Sequence, residues 1–163
     1  MTEKTIKEKT LVLLKPDALQ RNLLGKIIER FEQKGLKIVG LKMIQLDDVI
    51  LDEHYAHHRD KPFFEGLKNF MKGSPVVAMA LEGMEAVRVV RNLCGPTLGR
   101  DASPGTIRGD FSMSMQANIV HASDSVETAE KELWHFFNTD EVFDYKKTDS
   151  ECVYTKDELE RGR

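Results

Sequence analysis

Apolar positions along this chain switch between two periods, and the switches mark its elements. Thr10-Leu11-Val12-Leu13-Leu14 is a short continuous apolar run that reads as a buried strand, cut off by Lys15-Pro16-Asp17. From Leu24 to Gln33 the apolar residues Leu24, Ile27, Ile28 and Phe31 fall at helical spacing, and Gly35 stops the helix. Leu36 to Leu46 returns to alternation through Leu36, Ile38, Leu41 and Met43, with Gly40 placed for a bulge. Residues 47–58 and 62–72 read as two short helices parted at Lys61-Pro62. The first opens on Asp47-Asp48, as the helix dipole prefers.

Val76-Val77-Ala78-Met79-Ala80-Leu81 has no polar position at all, so it is expected to be a strand covered on both faces. The spacing from Met84 to Leu93 predicts a helix with Val87, Val90 and Cys94 on one face and Arg88 and Arg91 on a neighbouring stripe. Gly95-Pro96 ends it. About two dozen residues rich in Gly, Pro, Ser and Asp follow, a length that in a compact domain is usually functional or disordered. A strand begins at Ile119 and gives way to a helix over Ser125–Phe137, with Val126, Ala129, Leu133 and Phe136 facing in. Asp124 and Glu127 are spaced as a capping box. This order predicts an α+β, ferredoxin-like split βαβ fold: a four-stranded antiparallel sheet covered by helices, the first strand central.

Its 163 residues fit one domain over 1–163, with 1–8 and 155–163 expected as loose ends. A charged content of 31 % describes a soluble globular chain, and a net charge of −3 argues against nucleic acid as the main partner. Cys94 and Cys152 are too few for a disulfide scaffold. The first nine residues are too charged for a secretory signal, and no apolar run is long enough to span a bilayer. A cytoplasmic setting is the expectation.

Candidate chemistry gathers around Asn118-Ile119-Val120-His121-Ala122-Ser123-Asp124-Ser125. His121 sits where a short strand meets a helix start, a rigid place from which an imidazole can meet a phosphoryl group at a fixed angle. Imidazole is nucleophilic near neutral pH and largely deprotonated there. The helix that follows brings free N–H groups and a positive dipole end, which suits an anion. Glu132 comes eleven residues after His121, a stretch equal to about three helical turns, beside inward positions where a carboxylate is unusual. There it could hold the ring in one tautomer. Lys15 ends the central strand, Arg91 and Arg108 flank the long loop, and Thr97 lies inside it. Cations converging on a histidine make the electrostatic cradle that phosphoryl transfer needs.

Other signals carry less. His58-Arg59-Asp60 imitates a protein-kinase catalytic loop, but no Gly-rich kinase loop and no P-loop occurs. His54, His57 and His58 could be taken for a metal site, yet helix-surface histidines are the commoner case.

The chain resembles the nucleoside diphosphate kinases from about Lys9 to about Tyr154. The resemblance is carried by Leu14-Lys15-Pro16-Asp17, Glu53-His54-Tyr55, Lys61-Pro62-Phe63-Phe64, Ser74 through Met79, Pro104 through Phe111 and Asn118 through Ser125. It implies transfer of the γ-phosphate of a nucleoside triphosphate to a nucleoside diphosphate, by a ping-pong route through phospho-His121. It implies catalytic roles for His121, Glu132, Ser123 and Lys15, and nucleotide phosphate contacts for Lys15, Arg91, Thr97 and Arg108. Lys15 and Asn118 would also reach the ribose. Phe63 would stack on the base, Leu67 and Met115 would line the base site, and Tyr55 would stand close to the phosphates. Mg2+ would enter bridging those phosphates, with no protein ligand of its own, and the chain would assemble as a homo-oligomer, a hexamer or a tetramer. A ferredoxin-like nucleotide- or RNA-binding module without catalysis is the alternative. It is disfavoured because Leu11–Leu14 and Val76–Leu81 carry no aromatic for stacking bases.

Overall fold

A computed structural model describes residues 7–161. Four strands form one antiparallel sheet: β1 (Lys7–Leu14), β2 (Lys37–Ile44), β3 (Val76–Met84) and β4 (Val120–Ala122). Their spatial order is β2-β3-β1-β4, so β1 is central and leads straight into the functional region, as the split βαβ reading requires.

Alternate residues of β1 enter two separate cores. Val12 and Leu14 pack with Ala18 of α1 (Pro16–Gln20), Ile27 and Phe31 of α2 (Leu24–Gln33), and Val90 and Cys94 of α5 (Ala86–Cys94). Leu11 and Leu13 point the other way. They meet Leu51 of α3 (Asp48–His54), Leu67 and Met71 of α4 (Phe64–Lys72), and Leu133 and Phe136 of α7 (Val126–Phe136). Helices therefore cover both faces, which explains why Thr10–Leu14 and Val76–Leu81 have no polar face to show. Each fully buried Leu or Phe contributes about 1.5–3 kcal/mol relative to leaving it exposed.

The structure departs from the sequence reading at boundaries where a polar residue finds a partner. The apolar run suggested that β3 ends at Leu81, but it continues to Met84. Buried Glu82 is paired by Lys7, Lys9 and Lys37 at 2.8, 3.2 and 3.3 Å, which satisfies a charge that would otherwise end the strand. Met84 is consequently a strand residue rather than a helix start. Glu85 turns the chain with φ +50°, and α5 begins at Ala86. The cap of α7 is Ser125, whose side chain accepts from the Thr128 amide, and not Asp124 with Glu127. Gly40 does follow a register shift in β2. A Cβ there would come within 3.0 Å of the Glu141 carbonyl oxygen and the Phe137 ring.

The long connection holds a 3-10 turn at Gly99–Asp101 and the short helix α6 (Ile107–Phe111), capped by the Thr106 side chain on the Gly109 amide. α1 also lay unread after β1. Of the expected loose ends, Lys7 and Glu8 pair with Met84 and Gly83, and Lys156–Arg161 form the helix α9 after α8 (Ser150–Val153). Residues 1–6 and 162–163 lie outside the described residues.

Candidate active site

His121 sits in the middle of β4, opposite Leu13 of β1, with 22 % of its side chain exposed. Its Nε2 lies 3.2 and 3.1 Å from the two carboxylate oxygens of Glu132, one element further on in α7. An ionised carboxylate only accepts, so this geometry places the imidazole proton on Nε2 and leaves the lone pair on Nδ1. Among the described residues Nδ1 has no hydrogen-bond partner. Ser123, buried two residues after His121, donates its hydroxyl to Glu132 Oε2 at 2.5 Å and fixes the carboxylate from the other side. Burial pushes the Glu132 carboxyl up, but the hydrogen bond and charge of His121, the Ser123 hydroxyl and the charge of His54 outweigh it and hold it at about 2. The group is an anion at neutral pH.

The turn into β4 is held from three sides. Ile119 has φ +73°, a conformation that a β-branched residue adopts only under constraint. Its amide donates to Asp17 Oδ2 at 3.0 Å, and its carbonyl accepts from the Lys15 amide at 2.9 Å. Arg108, on α6 and 8 % exposed, spreads its guanidinium over three carbonyls: Asn118 at 3.3 Å, and Gly95 and Val120 at 2.6 Å each. Gly95 can offer that carbonyl because it caps α5 with φ +77°.

Lys15 is likewise buried. Its ammonium donates to Asn118 Oδ1 at 2.6 Å and to the Gln116 carbonyl at 3.3 Å, while Asn118 Nδ2 donates to the Thr97 carbonyl at 2.8 Å. Desolvation by burial, then the neighbouring Arg108 charge, lower the Lys15 ammonium to about 8, against a smaller upward pull from Asp17. Arg91 is exposed on α5, and one of its guanidinium nitrogens reaches the Ala122 carbonyl at 3.4 Å. Lys15, Thr97, Arg91, Arg108 and Asn118 are thus tied by hydrogen bonds to one another or to the segment carrying His121.

The expected base-site residues separate. Phe63 and Met115 are 48 % and 57 % exposed, whereas Leu67 is packed in the core between sheet and helices. The loop that carries Met115 is pinned to the helix after Phe63 by Gln116 Nε2, which donates to the Gly66 carbonyl at 3.2 Å. Tyr55 is buried, its ring edge against His54 at 4.5 Å between centroids, and burial pushes its phenol up.

At the site itself, the expectation for His54 is overturned. His54 is no surface histidine; its side chain is 1 % exposed and its ring lies edge-on to His121 at 4.7 Å between centroids. The signal was present, since His54 follows Leu51 by three positions and both face the core. Asp17 and Gln116 were also missed. Each acts on a backbone group far away in sequence, which local spacing does not reveal.

Among the described residues one group of three His, Cys, Asp or Glu side chains lies close enough to hold a metal ion: His54, His121 and Glu132. Two nitrogens and one carboxylate suit Mg2+ poorly, because that ion demands oxygen in octahedral array. No helix among the described residues is long and apolar enough to cross a membrane.

The family model described as nucleoside diphosphate kinase matches residues 8–142. A nucleoside diphosphate kinase of Parabacteroides distasonis is 57 % identical over 152 residues, covering 93 % of this chain and 99 % of that protein. Nucleoside diphosphate kinase A of Rattus norvegicus is 49 % identical over 147 residues, covering 90 % and 97 %. Among solved structures, the halophilic nucleoside diphosphate kinase of Halobacterium salinarum in complex with CDP superposes with a TM-score of 0.89 at 47 % identity, covering 91 % of this chain and 99 % of the other. A transition-state mimic of the Borrelia burgdorferi enzyme with bound vanadate and ADP gives 0.84 at 36 % identity, covering 89 % and 95 %. With the geometry of β4 and α7 set beside these likenesses, the conclusion is plain: the chain belongs to the nucleoside diphosphate kinase family.

Proposed function

We propose that the protein moves the γ-phosphate of a nucleoside triphosphate to a nucleoside diphosphate through a phosphohistidine at His121. The observation that carries this reading is the engagement of His121 Nε2 by Glu132, which leaves Nδ1 as the free nucleophile. In the first half-reaction the Nδ1 lone pair forms a bond to the γ-phosphorus, and the bond to the β–γ bridging oxygen breaks with its electron pair. The nucleoside diphosphate leaves. Positive charge develops on the ring as the bond forms, and the Glu132 carboxylate faces it across the Nε2 proton. Ser123 keeps that carboxylate from turning away. Such a fixed anion lowers the barrier because no solvent has to reorganise during transfer. A second nucleoside diphosphate then takes the phosphoryl group by the same path reversed, which makes the kinetics ping-pong.

Lys15, Arg91, Arg108, Thr97 and Asn118 form the phosphate and ribose side of this site, with Mg2+ arriving as part of the substrate. The exposed faces of Phe63 and Met115 would receive the base. Apolar contact discriminates bases weakly, since strong specificity comes from hydrogen bonds left unmet, so broad nucleotide use is expected. A homo-oligomer, hexameric or tetrameric, belongs to the same proposal. It is supported by the edge strand β2, where Leu41 and Met43 stand 51 % and 59 % exposed. The compartment proposed is the cytoplasm.

Brief exposure to ATP with magnesium, followed by intact-mass measurement, tests the reading. One phosphate should be gained, any nucleoside diphosphate should discharge it, and the His121→Ala variant should gain none. Labelling retained in that variant would overturn the assignment.

A further inference from the structure

His54 stands beside the reacting histidine with no part in the transfer just described. Its side chain is 1 % exposed, and neither ring nitrogen has a hydrogen-bond partner. A buried imidazole with both nitrogens unmatched is costly, and native proteins keep few such groups without a reason. Nδ1 is aimed at the carboxylate that holds His121, 3.7 Å from Glu132 Oε1. The rest of its surroundings are rings: Tyr55 and Phe136 edge-on at 4.5 and 5.1 Å, and His135 stacked at 6.3 Å.

The ligand atoms of His54, His121 and Glu132 all lie within 4.8 Å of one another. We propose that these three side chains form a binding site for a nitrogen-preferring divalent transition metal, Zn2+ above all, and that filling it silences the nucleophile. Two imidazoles and one carboxylate are a ligand set that zinc accepts, with a fourth position open to water. A tetrahedral ion with bonds of about 2.0–2.1 Å needs its donors roughly 3.4 Å apart. Measured to the same oxygen, Glu132 Oε1, the separations of 3.2 Å (His121 Nε2) and 3.7 Å (His54 Nδ1) bracket that figure, and the two imidazoles offer nitrogens within 4.8 Å of each other, which the ion would draw closer. Ser123 already supplies the outer hydrogen bond that orients a ligating carboxylate.

Occupancy acts through the tautomer. The metal takes the Nε2 lone pair, so the proton that sat on Nε2 moves to Nδ1, and the nitrogen that attacks phosphorus loses its lone pair. Glu132 is drawn to the ion at the same time. The metal-binding half of this inference stands on geometry alone, whereas the silencing half rests on His121 being the nucleophile.

Titration calorimetry of ZnCl2 into the nucleotide-free protein, with anomalous diffraction at the zinc edge, tests the first half. One site per chain is expected, with its anomalous peak between the three side chains. His54→Phe, which keeps a ring in the cavity, should weaken binding at least tenfold. Unchanged affinity in that variant, or a wild-type peak at His57 and His58 or at Cys152, overturns the site. The diffraction arm needs no variant, so misfolding of His54→Phe leaves the test intact. For the second half, the rate of phosphoenzyme formation from ATP and magnesium is read with free zinc fixed by a chelating buffer. It should fall in step with occupancy, and His54→Phe should resist at least tenfold more zinc. A full rate at full occupancy overturns silencing. Zinc bound at the three side chains of a protein that never becomes phosphorylated would instead sink the reading of His121.

Discussion

The carboxylate of Asp17 accepts the amide hydrogen of Ile119 at 3.0 Å, bridging 102 residues to hold a left-handed isoleucine two positions before His121. Without this bond, nothing local favours φ +73° at a β-branched residue, and the strand would relax toward ordinary geometry. Asp17→Ala should therefore destabilise the fold by about 1–3 kcal/mol, through a buried amide left unpaired. It should also slow phosphorylation of His121 by more than it weakens nucleotide binding, because the ring's angle is what suffers. Stopped-flow phosphorylation beside equilibrium nucleotide binding separates the two, and equal losses would refute the positioning role.

Arg108 invites a different expectation from the one its sequence context raises. The resemblance casts it as a phosphate ligand, and the structure finds it bracing the carbonyls of Gly95, Asn118 and Val120. Lysine keeps the charge but cannot fork over three acceptors. Arg108→Lys should lower the urea midpoint by an amount corresponding to about 2–4 kcal/mol, while also slowing transfer. A variant that is slow yet fully stable would mean that phosphate contact alone matters.

How far the sequence was legible follows from the range of the interactions. Periodicity located α2 at its true bounds and placed β1 centrally, because burial on one or both faces writes directly into residue order. Glu132 could be read from its place beside Ala129, Leu133 and Phe136, all buried on α7. What escaped was set across the fold. The partners of Glu82 come from two other strands, and only they explain a charged residue inside β3. Asp17 looks like a turn residue until Ile119 is brought to it. His54 stands close in sequence to His57 and His58, exposed and half-buried respectively, which suggests a solvent-facing cluster, although its spacing from Leu51 points inward.

Lys15 gives the activity an alkaline limit. Burial and Arg108 lower its ammonium to about 8, with Asp17 opposing. If cationic Lys15 meets the incoming phosphates, kcat/KM should fall above about pH 8, since that profile reports the free enzyme. Asp17→Asn keeps an oxygen for Ile119 but removes the opposing charge, so its falling limb should move to lower pH. Lys15→Arg should lose the limb and keep a lower plateau. A limb unmoved by both variants would place the titration elsewhere.

His54 shapes stability on the acid side. Its folded imidazole is held at about 3 against an ordinary 6.5, so between those values the unfolded chain binds a proton that the native one refuses. This contribution to stability is therefore complete above pH 6.5 and lost as the pH falls, by at most about 1.4 kcal/mol per unit. Glu132, depressed from 4.5 to about 2, adds its own loss only below pH 4.5, because its stabilisation needs the anion. The two groups thus act in sequence as acid is added. His54→Phe removes the first and leaves the second, so urea unfolding at stepped pH should show its curve flattened from pH 6.5 to 4.5 and still falling below. An unaltered slope across pH 6.5 to 4.5 in that variant would mean that native His54 takes up its proton freely, and that the ring is not held neutral beside His121.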